Sequence, residues 1–165
     1  MVTRKVRIDD LRKFTFISDP QISPDGTKVA FVHSAINYEK DDYIKHIWML
    51  HVETGERYQF TYGDGKDSNP RWSPDGSQLL FLSTGRESDK KNQLYVMAVS
   101  GGEAKLIADL ETGVSDPKWA PDSKSILFTS RVWEPEEPET DVVVIKRMFY
   151  KINGVGLFAG KGVHL

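Results

Sequence analysis

The stretch Ser68-Asn-Pro-Arg-Trp-Ser-Pro-Asp-Gly-Ser-Gln-Leu-Leu-Phe-Leu-Ser-Thr84 decides the fold, because the chain contains it three times. The first copy is Ser18-Asp-Pro-Gln-Ile-Ser-Pro-Asp-Gly-Thr-Lys-Val-Ala-Phe-Val-His-Ser34, and the third is Ser115-Asp-Pro-Lys-Trp-Ala-Pro-Asp-Ser-Lys-Ser-Ile-Leu-Phe-Thr-Ser-Arg131. The copies are spaced 50 and 47 residues apart. A repeat of this period indicates a solenoid, a propeller or a repeat array.

Each copy is typical of two short strands joined by a tight turn. Pro24-Asp-Gly26 and Pro74-Asp-Gly76 supply a fixed φ first and a residue that tolerates positive φ last, as a hairpin turn requires. The third copy has Ser123 in place of glycine. A positive φ at Ser123 would cost about 1 kcal/mol, so the third turn is a place where the copies can differ.

The apolar residues after each turn, at 29–32, 79–82 and 126–129, point to both faces of a short strand, which predicts strands covered on both sides. A second half also repeats, because His46–Val52 matches Gln93–Val99. Four strands in a unit of about 40 to 50 residues describe a propeller blade. The sequence therefore predicts an all-β fold of about three four-stranded blades of an incomplete β-propeller.

The predicted organisation is a helical lead-in over residues 1–17, blade one over 18–62, blade two over 63–110, and blade three with the start of a truncated unit over 111–165. In the lead-in, Ile8, Leu11 and Phe14 share one face of a helical turn, which we expect to pack on the first blade. After residue 140 the repeat changes: 141–145 is typical of a strand, and the residues beyond it do not match the earlier fourth strands.

The composition is that of a globular protein, with 39% hydrophobic and 28% charged residues and a net charge of −2. Basic residues are scattered, which gives no electrostatic footprint for nucleic acid. The sequence has no cysteine, which excludes disulfides and thiolate metal sites. It has neither an apolar run of signal-peptide length at its start nor a membrane span, so we expect a soluble, cytoplasmic protein without membrane partners.

The sequence offers no catalytic, cofactor-binding or metal-binding residues. The Gly-x-Ser-x-Gly motif of serine hydrolases is absent, and Ser100 before two glycines is interpreted as a turn residue. Gly160-Lys161 lacks the spacing of a phosphate-binding loop, so nucleotide binding is rejected. The expected set of catalytic, cofactor and metal ligands is therefore empty.

Neither the histidines nor the acidic residues follow a metal-ligand pattern. The four histidines, His33, His46, His51 and His164, show no ligand spacing, and His46 and His51 are expected on opposite faces of one strand. The acidic run at 134–139 contains two prolines and is interpreted as a solvated loop rather than a Ca²⁺ site. Trp72 and Trp119 occupy equivalent positions. Their recurrence favours packing in the core between blades over a place at the mouth of a pocket. Core positions recur in every repeat, whereas a binding site usually occurs once.

The Ser-Pro-Asp-Gly copies at 23–26 and 73–76 resemble propeller repeats of the tricorn and TolB type. Together with Ile8-Asp-Asp-Leu-Arg-Lys-Phe14 before them and Ile145-Lys-Arg-Met-Phe-Tyr-Lys-Ile-Asn-Gly-Val-Gly156 after them, the chain resembles the start of an acylaminoacyl-peptidase of the prolyl oligopeptidase family. The resemblance implies a propeller that admits short peptides to a C-terminal α/β-hydrolase domain. It implies no catalytic residue here, because the triad positions lie outside these 165 residues.

Two functions remain open from the sequence. The first is the gating propeller of a serine peptidase that acts on acylated or short peptides, with the remaining blades and the hydrolase domain as partners. The alternative is a non-enzymatic propeller scaffold for protein–protein interaction. A propeller closes with about four or more blades. Three blades alone would leave open faces. We expect the chain by itself to self-associate through its terminal blades or to be only partly ordered, and to be catalytically inactive.

Overall fold

A computed structural model describes residues 5, 7–86, 91–133, 151–152, 156–157 and 161–164. The described chain is built from antiparallel sheets, preceded by a single 3-10 turn over Ile8–Lys13. The helical lead-in predicted from the sequence is therefore present as a 3-10 turn. It contacts the strand Lys28–Asn37, but Leu11 and Phe14 stay about half exposed, so its packing on the first sheet is looser than expected.

The first two repeats each form a four-stranded antiparallel sheet in which neighbours along the chain are neighbours in space. The first sheet contains β1 (Thr15–Ile22), β2 (Lys28–Asn37), β3 (Asp42–His51) and β4 (Arg57–Gln59). The second contains β5 (Lys66–Trp72), β6 (Gln78–Thr84), β7 (Gln93–Ala98) and β8 (Lys105–Ala108). Four-stranded units of this order are the blades that the sequence predicts, and the incomplete β-propeller fold is confirmed.

The third repeat supplies β9 (Ser115–Trp119) and β10 (Ile126–Trp133), which pair as β1 with β2 do. A two-stranded ribbon, β11 (Lys151–Ile152) with β12 (Gly156–Leu157), precedes β13 (Lys161–His164). The other edge of β10 pairs with β13, Ser130 lying opposite His164. The strand predicted at 141–145 lies outside the described residues.

The first strands of the three units lie next to one another, since β1 contacts β5 and β5 contacts β9. This arrangement is that of blades radiating from a common axis. The strand β6 shows why the blades stack: Leu79 and Phe81 pack toward the first sheet, and Leu80 and Leu82 pack toward the third. Both faces of this strand are buried, as the apolar run predicts. The same prediction for the third copy, at 126–129, is wrong at Leu127, which is 53% exposed.

Two apolar cores lie in the two seams between neighbouring sheets. The first core joins residues of β2, β3, β6 and β7 with one residue after β4, and the second joins β6 and β7 to the third repeat. The first contains Ala30, Ile47, Met49, Phe60, Leu79, Phe81 and Tyr95. The second contains Leu80, Leu82, Leu94, Val96 and Val114, flanked by Trp119, Ile126 and Phe128.

A left-handed residue bends the first strand of every blade. Asp19, Asn69 and Asp116 have φ of 49°, 53° and 49°, and the strand register shifts at that point in all three copies. Aspartate and asparagine tolerate this conformation better than other residues with a side chain. The following proline lacks an N–H group, so its place in the bulge removes no ladder hydrogen bond.

The third Pro-Asp turn keeps the geometry of the first two. Ser123 has φ of 55°, against 71° for Gly26 and 72° for Gly76. Its hydroxyl oxygen accepts a hydrogen bond of 3.1 Å from the backbone N–H of Asp75, in the turn of the neighbouring blade. The departure from glycine therefore does not change the turn. It adds a contact between blades that glycine lacks.

Candidate functional site

The seam between the first and second sheets carries polar groups at both of its ends, and each end is a place at which a site could form. At one end the first residues of β3 and β5 meet, where the Lys66 ammonium group is paired with the Asp42 carboxylate. At the other end lie the Pro-Asp-Gly turns. The strand directions predict this division, because the connections of an antiparallel blade alternate between its two ends.

A buried polar cluster lies at the loop end of the seam, centred on Asp67 in β5. The Asp67 side chain is fully buried, with 0% exposed. Arg86, just after β6, donates two hydrogen bonds to it, from Nε to Oδ1 at 3.1 Å and from a terminal nitrogen to Oδ2 at 2.7 Å. The paired geometry is the strongest that arginine makes with a carboxylate.

The Arg86 guanidinium group is fixed from other sides as well. Its Nε donates a 3.0 Å hydrogen bond to the hydroxyl of Ser83. Its central carbon lies 5.4 Å from the centre of the Phe81 ring and 5.6 Å from that of Tyr95, within range of cation–π attraction. These contacts bind the loop after β6 to the first strand of its own blade.

His46 brings the first sheet into the same cluster. Its Nδ1 lies 3.7 Å from Oδ2 of Asp67, and the imidazole is 14% exposed. This separation exceeds hydrogen-bond distance, and the buried Nδ1 makes no hydrogen bond. A protonated His46 would attract Asp67 through its charge across the seam.

The environment of Asp67 keeps it ionised. Burial alone would raise the pKa of this carboxyl, but the opposing influence of His46, Arg86, Ser83 and Thr61 is larger and leaves the pKa below its ordinary value. The buried charge is therefore compensated by the arginine and by neighbouring polar groups, as a buried ion requires.

The cluster contains a serine, a histidine and an aspartate, yet its geometry is not that of a catalytic triad. A nucleophile must be reachable by substrate and hydrogen-bonded to its base. Ser83 is 1% exposed, and its hydroxyl accepts from Arg86. Asp67 is held by the same arginine. The arrangement works as a clasp that fixes the loop after β6 to the first strand of the same sheet.

A cleft of about 280 Å³ lies at the turn end of the same seam. Asp25 faces it, and hydrogen bonds from the Ser23 hydroxyl and from Thr27 lower the pKa of this carboxyl to about 2. The corresponding bonds from Ser73 and Ser77 also lower the pKa of Asp75. Both carboxylates are thus engaged in shaping their own turns. The cleft is lined by Ser23, Pro24, Asp25, Lys28, Trp72, Asp75, Gly76 and Val99.

The two equivalent tryptophans pack in the seams between blades, as the sequence predicts. Trp72 packs against the first core and Trp119 against the second. Each indole N–H donates to a carbonyl of the preceding blade, from Trp72 to Gln21 at 2.9 Å and from Trp119 to Arg71 at 3.1 Å. The recurring hydrogen bond identifies them as a structural element of the seam.

His33 lies opposite His46 in the pairing of β2 with β3. His33 contacts the ring of Trp48 at 5.2 Å and His51 that of Tyr58 at 6.0 Å, whereas His46 faces Asp67. The described residues contain no group of three or more potential metal ligands. Ser100 lies in the turn after β7, with its side chain exposed. The acidic run at 134–139 and Gly160 lie outside the described residues, and of the lysine after Gly160 only the strand position is described.

Sequence reasoning missed the clasp, although one signal points to it. Asp67 precedes the second copy of the repeat, and the equivalent positions hold Ile17 and Val114. A buried aspartate at a position that is apolar in the other copies breaks the repeat. A residue that occurs in only one copy of a repeat indicates a role confined to that copy, and here the role is to bind Arg86.

Comparison with known proteins places the chain among propeller proteins. A family model described as the TolB beta propeller domain matches residues 8–135. The uncharacterized peptidase YuxL of Bacillus subtilis is 40% identical, over 94% of this chain and 25% of its own length. Within the described residues, no helix is long and apolar enough to cross a membrane.

Solved structures agree with this placement. The acylaminoacyl peptidase of Pyrococcus horikoshii superposes with a TM-score of 0.72 and 25% identity, over 93% of this chain and 23% of that one. The β-propeller domain of the Trilobed protease from Pyrococcus furiosus shares the fold, with a TM-score of 0.58 and 24% identity over 72% of this chain and 34% of that one. The chain thus spans about a quarter of YuxL and of the acylaminoacyl peptidase.

Proposed function

Because the chain belongs to the family of TolB-type β-propeller domains and matches the propeller of acylaminoacyl-peptidase-like proteins, we propose that it gates access to the active site of a serine peptidase. The substrates proposed are acylated or short peptides. The observation that carries the proposal is the 40% identity to a peptidase across nearly the whole chain.

The described blades have the rigidity that a gate needs. A propeller that excludes folded proteins must keep its neighbouring blades in contact when a large polypeptide approaches. The seams here combine buried apolar cores with tryptophan hydrogen bonds, and the first adds the ion pair between Arg71 and Asp19. Fixed contacts of this kind oppose separation of the blades, which supports a size-selective role.

The proposed partners are the remaining blades of the ring and a C-terminal α/β-hydrolase domain that carries the serine, aspartate and histidine of the reaction. The proposed location is the cytoplasm. In this division of labour the 165-residue chain contributes no reacting group. Purified by itself, it is expected to hydrolyse neither acyl-peptides nor p-nitroanilide substrates.

The proposal is tested first by reading the coding sequence beyond residue 165. Further copies of the Ser-Pro-Asp-Gly repeat, followed by Gly-x-Ser-x-Gly between a strand and a helix, are expected. A sequence that continues with blades and ends without that motif would contradict the peptidase assignment.

The gating role is tested in the full-length protein with the Trp72→Phe variant, which removes the indole N–H that donates to Gln21 across the first seam. Loosening the seam should increase hydrolysis of long unfolded polypeptides relative to a short acyl-peptide, because the wall opens more often. Arg57→Met, on the outer strand β4, is the control and should leave the ratio unchanged. An unaltered ratio in Trp72→Phe, despite measurable destabilisation, would contradict gating by this seam.

A non-enzymatic scaffold is the second candidate. The family description names a propeller domain and no reaction, which is the observation that favours it. Such a protein would end soon after ring closure and would bind another protein through one face of the ring. The coding sequence beyond residue 165 separates the two candidates.

A further inference from the structure

The residue two places after the left-handed bend differs among the first strands of the three blades. It is Gln21 in β1, Arg71 in β5 and Lys118 in β9. The Gln21 amide nitrogen donates to Oδ1 of Asp19 in its own strand at 2.7 Å. Arg71 donates to Oδ2 of the same aspartate from the neighbouring blade at 2.8 Å. Side chains at this position therefore lie along the line where the first strands of neighbouring blades meet.

Lys118 has no carboxylate to pair with at the second seam. The place of Asp19 is taken there by Asn69, whose side chain carries no charge. Within the part of the chain that the structure describes, the Lys118 side chain makes neither a hydrogen bond nor an ion pair, and the residue is exposed. Because Asn69 belongs to a blade that the structure describes, the unpaired ammonium group is a property of the second seam itself.

The charged side chains of β1 and β5 are compensated. They form three ion pairs: Lys66 with Asp42, Asp67 with Arg86, and Arg71 with Asp19. In β9, Asp116 holds the place of Asp19, whose carboxylate accepts from the blade that follows it. The repeat therefore directs Asp116 toward the next seam, and Lys118 keeps its positive charge at the second.

The first strands surround the axis of the propeller. The strand β1 contacts β5, and β5 contacts β9, and each of the three is an edge strand of its sheet. A closed propeller has a central channel along this axis. An exposed charge acts over about 8 Å at physiological ionic strength, and the walls of a cleft concentrate its field. Lys118 is therefore placed to attract an anionic group of a molecule that enters along the axis.

We propose that Lys118 attracts the C-terminal carboxylate of short peptide substrates, so that peptides with a free C-terminus are favoured. The inference rests on the proposed function, in which the propeller admits acylated or short peptides to an active site. Acylation removes the charge of the peptide's amino terminus. The C-terminal carboxylate is then the terminal charge that remains, and a cation at the axis can recognise it. Lys118 acts on entry and binding, which makes it a specificity-determining residue rather than a catalytic one.

The test gives the full-length protein two acyl-peptides of the same sequence, one with a free C-terminal carboxylate and one with a C-terminal amide. The measured quantity is the kcat/KM for the carboxylate divided by that for the amide. Lys118→Gln should lower this ratio about two- to fivefold, the range expected for an exposed charge pair. Lys118→Arg should retain the ratio. Lys105→Gln removes the same charge from the outer strand β8, away from the axis, and should leave the ratio unchanged.

A second variant neutralises the lysine without replacing it. Asn69→Asp supplies at the second seam the acceptor that Asp19 supplies at the first, and Asp19 has the same left-handed conformation as Asn69. This variant should lower the ratio as Lys118→Gln does. In the unaltered protein, raising the ionic strength should also lower the ratio, because salt screens an exposed charge.

The two substrates separate failure of this inference from failure of the proposed function. If both peptides are hydrolysed and the ratio is the same in Lys118→Gln as in the unaltered protein, the inference is overturned and the peptidase function stands. If the full-length protein hydrolyses neither peptide, the proposed function is overturned and the inference falls with it.

Discussion

The second sheet and the two sheets beside it place the same repeat positions in different surroundings. In the second sheet both faces of β6 are buried, and Trp72 donates a hydrogen bond across the seam. In the first sheet Ile22 takes the place of Trp72 and is exposed, and in the third Leu127 takes the place of Leu80 and is exposed. A propeller blade therefore owes its burial to its neighbours as much as to its own residues.

The difference in burial between these sheets indicates which contacts stabilise the fold. A strand inside one sheet has its hydrogen bonds whether or not the sheet is covered, but its apolar faces gain free energy only in a seam. The middle blade contributes to both seams, and each flanking blade contributes to one. The following predictions compare positions in the middle and flanking blades, and they run from the largest expected effect on stability to the smallest.

The largest effect is expected from Arg86→Met in the clasp. It leaves the Asp67 carboxylate buried without its main partner, which should lower the free energy of unfolding by about 3–5 kcal/mol. Arg71→Met breaks the partly exposed pair with Asp19 and should cost less than about 1 kcal/mol. Urea denaturation measures both. Equal losses for the two variants would contradict the assigned role of the clasp.

A smaller but still large effect separates two equivalent leucines. Leu80→Ala removes a fully buried side chain and should cost about 2–5 kcal/mol. Leu127→Ala alters a half-exposed side chain and should cost under about 1 kcal/mol. The measurement is urea denaturation at a dilution where the chain is monomeric. If Leu127→Ala were as costly as Leu80→Ala, the third sheet would have to be covered on both faces.

Acid should weaken the turns and the clasp together. The pKa values of Asp25, Asp67 and Asp75 are lowered in the folded protein, so their contribution to stability is complete above the unfolded value near about 4 and is lost as the pH falls through the folded values. The thermal midpoint should therefore fall as the pH is lowered from about 4 toward 2.

The doubly substituted variant Asp25→Asn, Asp75→Asn provides the control for the acid effect. Its amide oxygens can still accept the turn hydrogen bonds but do not titrate, so its thermal midpoint should fall less steeply over the same pH range. A midpoint in the unaltered chain that stays constant through this range would show that these carboxylates do not stabilise the fold.

The smallest effect is expected at the third turn. Ser123→Gly relieves about 1 kcal/mol of left-handed strain but loses a hydrogen bond of similar value, so the net change should be within about 0.5 kcal/mol. Ser123→Ala keeps the strain and loses the bond, and should destabilise by about 1 kcal/mol. If the alanine variant were as stable as the unaltered chain, the contact with Asp75 would contribute nothing.

The repeat made most of the blade architecture predictable from sequence. The apolar run Leu79–Leu82 places apolar side chains on both faces of strand β6. The structure buries one face against the first sheet and the other against the third. The recurrence of tryptophan at 72 and 119 predicts packing between blades for the same reason. In each case a local pattern dictates the structure, and repetition makes the pattern visible.

Other features depend on contacts that the local sequence does not contain. The residues around Ser123 do not predict that its hydroxyl accepts a hydrogen bond from the Asp75 backbone N–H in another blade. The clasp joins Asp67 to Arg86 and His46, which only the folding of two sheets brings together. The strand β13 pairs with β10 where β3 pairs with β2 and β7 with β6, but the chain between the two strands is far longer than in the earlier repeats.

Hydrogen exchange of the dilute monomeric chain, followed by mass spectrometry, tests most directly whether the repeats are stacked blades. Amides of β6 and β7 should exchange slowest, because their sheet is covered on both faces, and those of β1 and β9 should exchange faster. Equal protection of all three sheets, or slower exchange in β1 than in β6, would contradict the account.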